Sequence, residues 1–227
     1  MTQKLYVILG DVISSRKIDD RDGFRKNVER ACQAVTSRYS EDIYTDFKIL
    51  KGIDEFGGVL YSITNVYNII STILNLLYPE SVRFVLVLDY IDTGLETGDV
   101  ARMDGPAFHR AADMINNLKK LNLKFHMSVG DEVVDSAISG EINLILIIKS
   151  NWSATQFRAV QEYEKDKSQS EVAEILGVTQ QAVSKALTRS MWKDIRHIEG
   201  NLNYILNSYQ KRLNQRDQTY DRRFDCD

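Results

Sequence analysis

Every convincing strand-like segment of this chain lies before residue 135, and the stretch 151–205 contains none. That segregation constrains the fold more than any single motif. A sheet must be completed within the N-terminal part, and the C-terminal part must bury its apolar residues helix on helix. Leu5–Asp11, LYVILGD, is a short apolar run whose length and β-branching predict a buried strand. Arg21–Tyr39 follows as an amphipathic helix, with Phe24, Val28, Ala31, Cys32 and Val35 at i, i+3, i+4 spacing. FKIL and GVLYSI flank the turn-like KGIDEFGG and predict a hairpin. Thr64–Leu77 reads as a second helix with Val66, Ile69, Ile70, Ile73, Leu74 and Leu77 inward. VRFVLVLDY is another buried strand, Pro106 suits the first turn of a third helix, and LKFHMSV is a last strand. The order is β-α-β-β-α-β, then a helix and a strand. Two split β-α-β units on a mostly antiparallel sheet predict an α+β fold with a ferredoxin-like or palm-like N-terminal domain.

The C-terminal part reads as a small all-α domain. Ser153–Gln156 and Ser168–Glu171 each have capping-box spacing, and Thr179 is placed to cap a third helix. Gln169–Leu187, QSEVAEILGVTQQAVSKAL, has the pattern of a helix-turn-helix. Val172, Leu176, Val178, Val183, Ala186 and Leu187 supply apolar contacts, Ala173 the small residue at close approach, and Gly177 the turn. In such a module the second helix enters the major groove. Thr179, Gln180, Gln181, Ser184, Lys185, Thr188 and Arg189 are the candidate DNA-binding residues. Glutamine can pair with adenine, and the others suit bases or phosphates. From Gln180 to Lys193 there are three basic residues and no acid, which favours phosphate contact. Trp152 and Trp192 read as core anchors of the module. The alternative is a trihelical protein-contact domain. The division expected is a palm-like domain over 1–135, a helical connector over 136–150, the helix-turn-helix over 151–213 and a polar, disordered tail over 214–227. The apolar run Glu141–Lys149 fits a strand or a helix by pattern, with a connecting helix preferred.

A net charge of −3 excludes a chain that coats nucleic acid throughout, so DNA contact has to come from a local patch. The two cysteines, Cys32 and Cys226, make neither a disulfide framework nor a zinc cluster. No apolar run reaches the ~20 residues of a membrane span. A cytoplasmic protein without a membrane partner is expected. One module gives a small footprint, so a homodimer on two half-sites of double-stranded DNA is expected.

Asp11 ends the first strand, and Asp54 and Glu55 lie at the hairpin. Adjacent strands would bring Asp11 and Asp54 together, and two close carboxylates require a cation or a shared proton. Mg²⁺ on one or two carboxylates plus substrate phosphates is one solution. A strand-end cap at Asp11 and a solvated tip at Asp54–Glu55 is the other. His109, His126 and His197 have no metal-ligand spacing, and neither a phosphate-binding Walker loop nor a G-x-S-x-G elbow occurs.

GDVISSRK, GIDEFGG, Arg83 at a strand start and MDGPAFHRAADM, in that order and spacing, resemble the SatD family over most of the chain. The N-terminal part is similar to class III nucleotidyl cyclases and diguanylate cyclases, and the C-terminal part resembles sigma-factor-like helix-turn-helix modules. The cyclase likeness implies metal ions, Mg²⁺ or Mn²⁺, on Asp11 and Asp54 with Glu55 beside them. It also implies phosphate contacts from the loop at Ser14 and Ser15. The chain departs from the cyclase pattern on the helix after the fourth strand. There His109 and Asp113 fall where an asparagine and an arginine would support the transition state. An acid cannot replace an arginine that stabilises negative charge on phosphate. Arg110, three residues away, is offset by roughly 60° around the helix and stands as the candidate phosphate residue. The sequence therefore predicts a DNA-binding regulator whose palm-like domain binds a nucleotide or divalent metal and dimerises. The alternative is a metal-dependent nucleotide-processing enzyme localised by its helix-turn-helix. A third is an interaction module with neither activity.

Overall fold

The computed structural model describes residues 2–224, and side chains from 2 to 215. Strand β1 (Gln3–Val12) lies at the centre of a five-stranded sheet. It is flanked by β3 (Glu55–Leu60) and β4 (Val82–Ile91), with β2 (Ile43–Lys51) and β5 (Phe125–Ser128) at the edges, in the order β2-β3-β1-β4-β5. β1 pairs antiparallel with β3 and with β4, and β2 pairs antiparallel with β3. Both faces of β1 are covered, which is why its sequence is an unbroken apolar run rather than an alternation. Leu5 and Val7 join Val59, Val85 and Val87 in a core closed by Ala107, Ala111, Ile115 and Leu118 of α3 (Pro106–Leu121). The alternate residues Tyr6 and Ile8 are buried on the opposite face, as are Phe56 and Phe84, whose rings meet edge to face with centroids 6.0 Å apart.

Helix α1 (Arg21–Arg38) buries Phe24, Val28, Ala31, Cys32 and Val35, the stripe its spacing predicts. Asp20 caps it by accepting the Gly23 N–H. Burial pushes the Cys32 thiol up to about 12, so it is a neutral core group at physiological pH. Helix α2 (Val66–Leu77) buries Val66, Ile69, Ile70, Ile73 and Leu77, while Leu74, expected inward, is only half-buried, and α1 and α2 pack together.

The sheet is mostly antiparallel, as expected; the exception is β5, which pairs parallel with β4. Helix α3 carries the chain back along the sheet before β5 begins, and a helical crossover of that kind delivers a parallel neighbour.

The ambiguous apolar run belongs to a helix, α4 (Glu132–Ser150). It is followed by α5 (Ala154–Tyr163), α6 (Gln169–Leu176), α7 (Gln180–Arg189) and α8 (Trp192–Phe224). The chain forms two compact units, Glu141–Leu202 on the one hand and Met1–Gly140 with Asn203–Asp227 on the other. The boundaries between these units fall inside α4 and α8. The residues after Leu202 return to the first unit, where Gln210 accepts the buried Ile63 N–H at 3.0 Å. The polar tail expected from Asn214 begins within α8, where the Asn214 carboxamide accepts from Gln210, and residues 225–227 lie outside the described residues.

In the second unit, Val160, Val172, Ala173, Val183 and Leu187 form the core, with Trp152, Tyr163, Leu176 and Trp192 packed against it. Ser153 and Ser168 both complete capping boxes, and Thr179 caps α7 by accepting the Ala182 N–H. Gly177 turns the chain between α6 and α7 at φ +65°. Val178 departs from its expected role. It is 39% exposed, because the turn at Gly177 swings it out of the α6–α7 contact.

Gly57 and Gly58 keep β3 close to its neighbours. A Cβ on Gly57 would lie 2.5 Å from the Ile8 carbonyl oxygen, and one on Gly58 would lie 2.6 Å from the Phe47 ring. Backbone cannot yield as a flexible side chain can, so Gly57→Ala is expected to cost about 1–3 kcal/mol through overpacking. Urea unfolding checks this, with a lower midpoint at an unchanged slope as the expected result.

Candidate functional site

The end of the sheet where β1 finishes carries a row of charges. Backbone pairing sets Lys51 of β2 against Glu55 of β3, Glu55 against Asp11 of β1, and Asp11 against Arg83 of β4. Lys124 stands next to Arg83, one residue before the Phe84–Phe125 pair that joins β4 to β5. Directly opposed residues in a sheet share a face, so the row lies on the side covered by α3.

Asp11 is buried, with 4% of its surface exposed. Lys119, in the last turn of α3, places its Nζ 2.8 Å from Asp11 Oδ1, and Arg83 Nη1 lies 3.7 Å from Oδ2. Each oxygen therefore faces a cation supplied by the chain itself. A buried carboxylate is tolerable under that condition. Arg83 is also largely buried, and its Nε has no hydrogen-bond partner. Desolvation, with the charge of Arg83 beside it, lowers the Lys124 pKa.

Asp54 has a different task from Asp11. Its backbone carbonyl accepts the Val12 N–H at 3.0 Å, which brings the hairpin to the end of β1 as the sequence suggests. Its carboxylate turns instead to the loop after β1 and accepts the buried Ser15 hydroxyl at 2.7 Å. Ser14 is exposed at φ 59°. Glu55, one residue further, is the acid that shares a face with Asp11. A cleft of about 290 Å³ opens here, lined by Asp11, Glu55, Lys51, Asn116 and Lys119 among others.

As they stand, the carboxylates of Asp11 and Asp54 do not fit a resident Mg²⁺ or Mn²⁺. Such an ion needs carboxylate lone pairs turned towards it. Here Asp11 is engaged by two cations and Asp54 by a hydroxyl. Among the described residues no group of three or more His, Cys, Asp or Glu could hold a metal ion.

Arg110 is not part of this end of the sheet. Its guanidinium donates to Asp89 Oδ2 at 2.7 Å and to the Ser128 hydroxyl at 2.6 Å. That hydrogen bond holds the Asp89 carboxyl below its ordinary range. Asp89 is six residues along β4 from Arg83, roughly 20 Å at strand spacing. The physical reason is helix direction. α3 starts where β4 ends and runs back, so its first turns lie over the far end of β4 and its last turn lies over Asp11. His109, paired with Asp104 at 3.0 Å, and the exposed Asp113 belong to earlier turns of α3 than Lys119. Sequence reasoning missed Lys119, because spacing along the chain does not show which turn of α3 reaches Asp11. The signal available was Ile115 and Leu118 inward, with Lys119 one position on.

In the second unit, Thr179, Gln180, Gln181, Ser184, Lys185, Thr188 and Arg189 are all exposed along one side of α7, while Val183, Ala186 and Leu187 are buried on the other. The Thr179 hydroxyl is committed to the cap, and the Thr188 hydroxyl donates to the Ser184 carbonyl. Both tryptophans are engaged within the unit. The Trp152 indole N–H donates to the Ser190 carbonyl at 2.9 Å, and that of Trp192 donates to Glu164. No helix among the described residues is long and apolar enough to cross a membrane.

Residues 5–196 match the SatD family. No curated protein matches the chain. Among solved structures, a bacterial light-regulated adenylyl cyclase is similar at 13% identity, with a TM-score of 0.39, over 56% of this chain and 43% of its own. The chain thus spans less than half the length of that protein.

Removing the Asp11 carboxylate would leave Arg83 buried without its counter-charge. Asp11→Ala is expected to cost about 3 kcal/mol, the low end for a broken buried pair because Lys119 reaches solvent. The check is chemical denaturation at neutral pH. A loss below about 1 kcal/mol would mean the pair contributes no more than a surface one.

Proposed function

The chain belongs to the SatD family, and on that footing we propose that it is a DNA-binding transcriptional regulator whose N-terminal domain binds a nucleotide and dimerises. The observation that carries the first half is the outer side of α7. A capped helix follows a glycine turn, its inner side fills the unit's core, and its outer side exposes Gln180, Gln181, Ser184, Lys185 and Arg189. This is the chemistry of a recognition helix, with amides for adenine edges and cations for phosphates. α6 and α7 would form the helix-turn-helix, α7 lying in the major groove. Lys193, also exposed, extends the basic side beyond α7.

One such helix reads a few base pairs. Two copies related by a two-fold axis would read half-sites about one helical turn, ~34 Å, apart. The pairing of Asp11 with two cations favours ligand binding over metal-dependent catalysis for the N-terminal domain. A cytoplasmic location follows from this role.

Fluorescence anisotropy with duplex DNA across 50 to 200 mM salt tests the proposal. Binding is expected to weaken steeply with salt. Lys185→Ala and Arg189→Ala should each reduce the slope of log affinity against log salt by about 1. Binding that is absent at low salt, or unaffected when both side chains are removed, would refute the DNA-binding role.

A further inference from the structure

We propose that Gln181 is the residue of α7 that selects DNA sequence, by pairing with the edge of an adenine, and that Gln180, with the same side chain, does not. This rests on the DNA-binding half of the function proposed above and gives it a base preference. The rotation of α7 is fixed by what it buries. Val183, Ala186 and Leu187 are its buried residues, and Val183 and Leu187 lie in the core of the unit. Successive residues are about 100° apart around a helix. The line opposite the buried side is then approached to within roughly 35° by Gln181, Lys185 and Thr188. Ser184 and Arg189 stand about 70° to either side of it. Gln180 lies more than about 100° away, close to the direction of the buried Leu187.

That rotation decides what each side chain can meet. A helix with its side chains is about 10–12 Å across and fills a major groove about 12 Å wide. Only the line averted from the helix's own unit reaches the groove floor, where base edges lie, and the flanks meet the phosphate walls. Along that line the three side chains offer different chemistry. Thr188 stands in the last turn and donates its hydroxyl to the Ser184 carbonyl. Lys185 carries donors only. Gln181 carries a donor and an acceptor in one plane, and among the described residues its carboxamide has no hydrogen-bond partner. Adenine presents the complement, an N7 acceptor beside an N6 donor. Guanine presents two acceptors, N7 and O6, so the carboxamide oxygen would face O6 without a proton between them. Gln181 also stands in the first turn of α7, and the N-terminal residues of a recognition helix are the ones that meet base edges. The Thr179 cap, accepting the Ala182 N–H at 3.2 Å, holds that turn in place.

Selection of the full chain against a library of random-sequence duplexes, followed by anisotropy on the enriched sites, tests the assignment. The parent chain is expected to enrich an A·T pair at a fixed position of the half-site. Replacing that pair by G·C should weaken binding about tenfold to a hundredfold. Gln181→Arg should convert the enriched pair at that position to G·C and leave the rest of the site unchanged, since arginine pairs bidentately with guanine O6 and N7. Such a switch is a gained preference, which loss of folding cannot imitate. Gln181→Ala should bring the discrimination below about threefold, and Gln180→Ala should enrich the parent site. If both Gln181 variants enrich the parent site, or the preference moves with Gln180→Ala, the assignment is overturned and DNA binding stands. Salt-sensitive capture without any enriched sequence has the same meaning. No capture at low salt overturns the assignment together with the DNA-binding role.

Discussion

Lys119 and Arg83 reach the buried Asp11 carboxylate from α3 and β4, and this one charge ties the covering helix to the central strand. β1 could not end in an acid at this depth without them. Because β1 is hydrogen-bonded on both edges and covered on both faces, Asp11 is left almost wholly buried at its end, with too little exposure for water alone to solvate the charge. The cations must come from the protein, and the chain supplies them from elements far apart in sequence. α3 is thereby fixed in rotation as well as in position. Ala111, Ile115 and Leu118 face the core, and Lys119 points down the end of the sheet.

The two acids of the hairpin divide the labour. Asp54 lies in the turn and Glu55 opens β3, so the strand register fixes the direction of Glu55 and not that of Asp54. Asp54 secures the loop after β1 through Ser15, while Glu55 joins the row beside Asp11. The sequence-based expectation paired Asp11 with Asp54 because adjacent strands bring their backbones together, and the Val12–Asp54 hydrogen bond does so. The side-chain pairing was decided by register, which a hairpin of unknown turn length leaves open.

The helical unit was more legible. Its capping boxes at Ser153 and Ser168, the glycine turn at Gly177 and the inward stripe of α7 are local features, each spanning a few residues. Local hydrogen bonds and 3.6-residue periodicity determine them, so sequence spacing suffices. The division into units was not legible, since it falls inside two continuous helices, and a helix pattern carries no sign of which body each turn packs against.

By itself, the sequence determined the strand and helix order, the buried stripes of α1 and α2, the exposed side of α7 and the place of Asp11 at a strand end. These follow from short-range patterning and from the length of apolar runs. Only the tertiary structure decided the neighbours of Asp11. Arg83 comes from the antiparallel register with β4, and Lys119 from the last turn of a helix that doubles back along the sheet. Arg110, nearer in sequence to the expected motif, is carried to the other end of β4 by that same helix. Electrostatic partnership depends on distances of a few ångströms. Those are set by how strands pair and which way helices run, and no spacing along the chain encodes them.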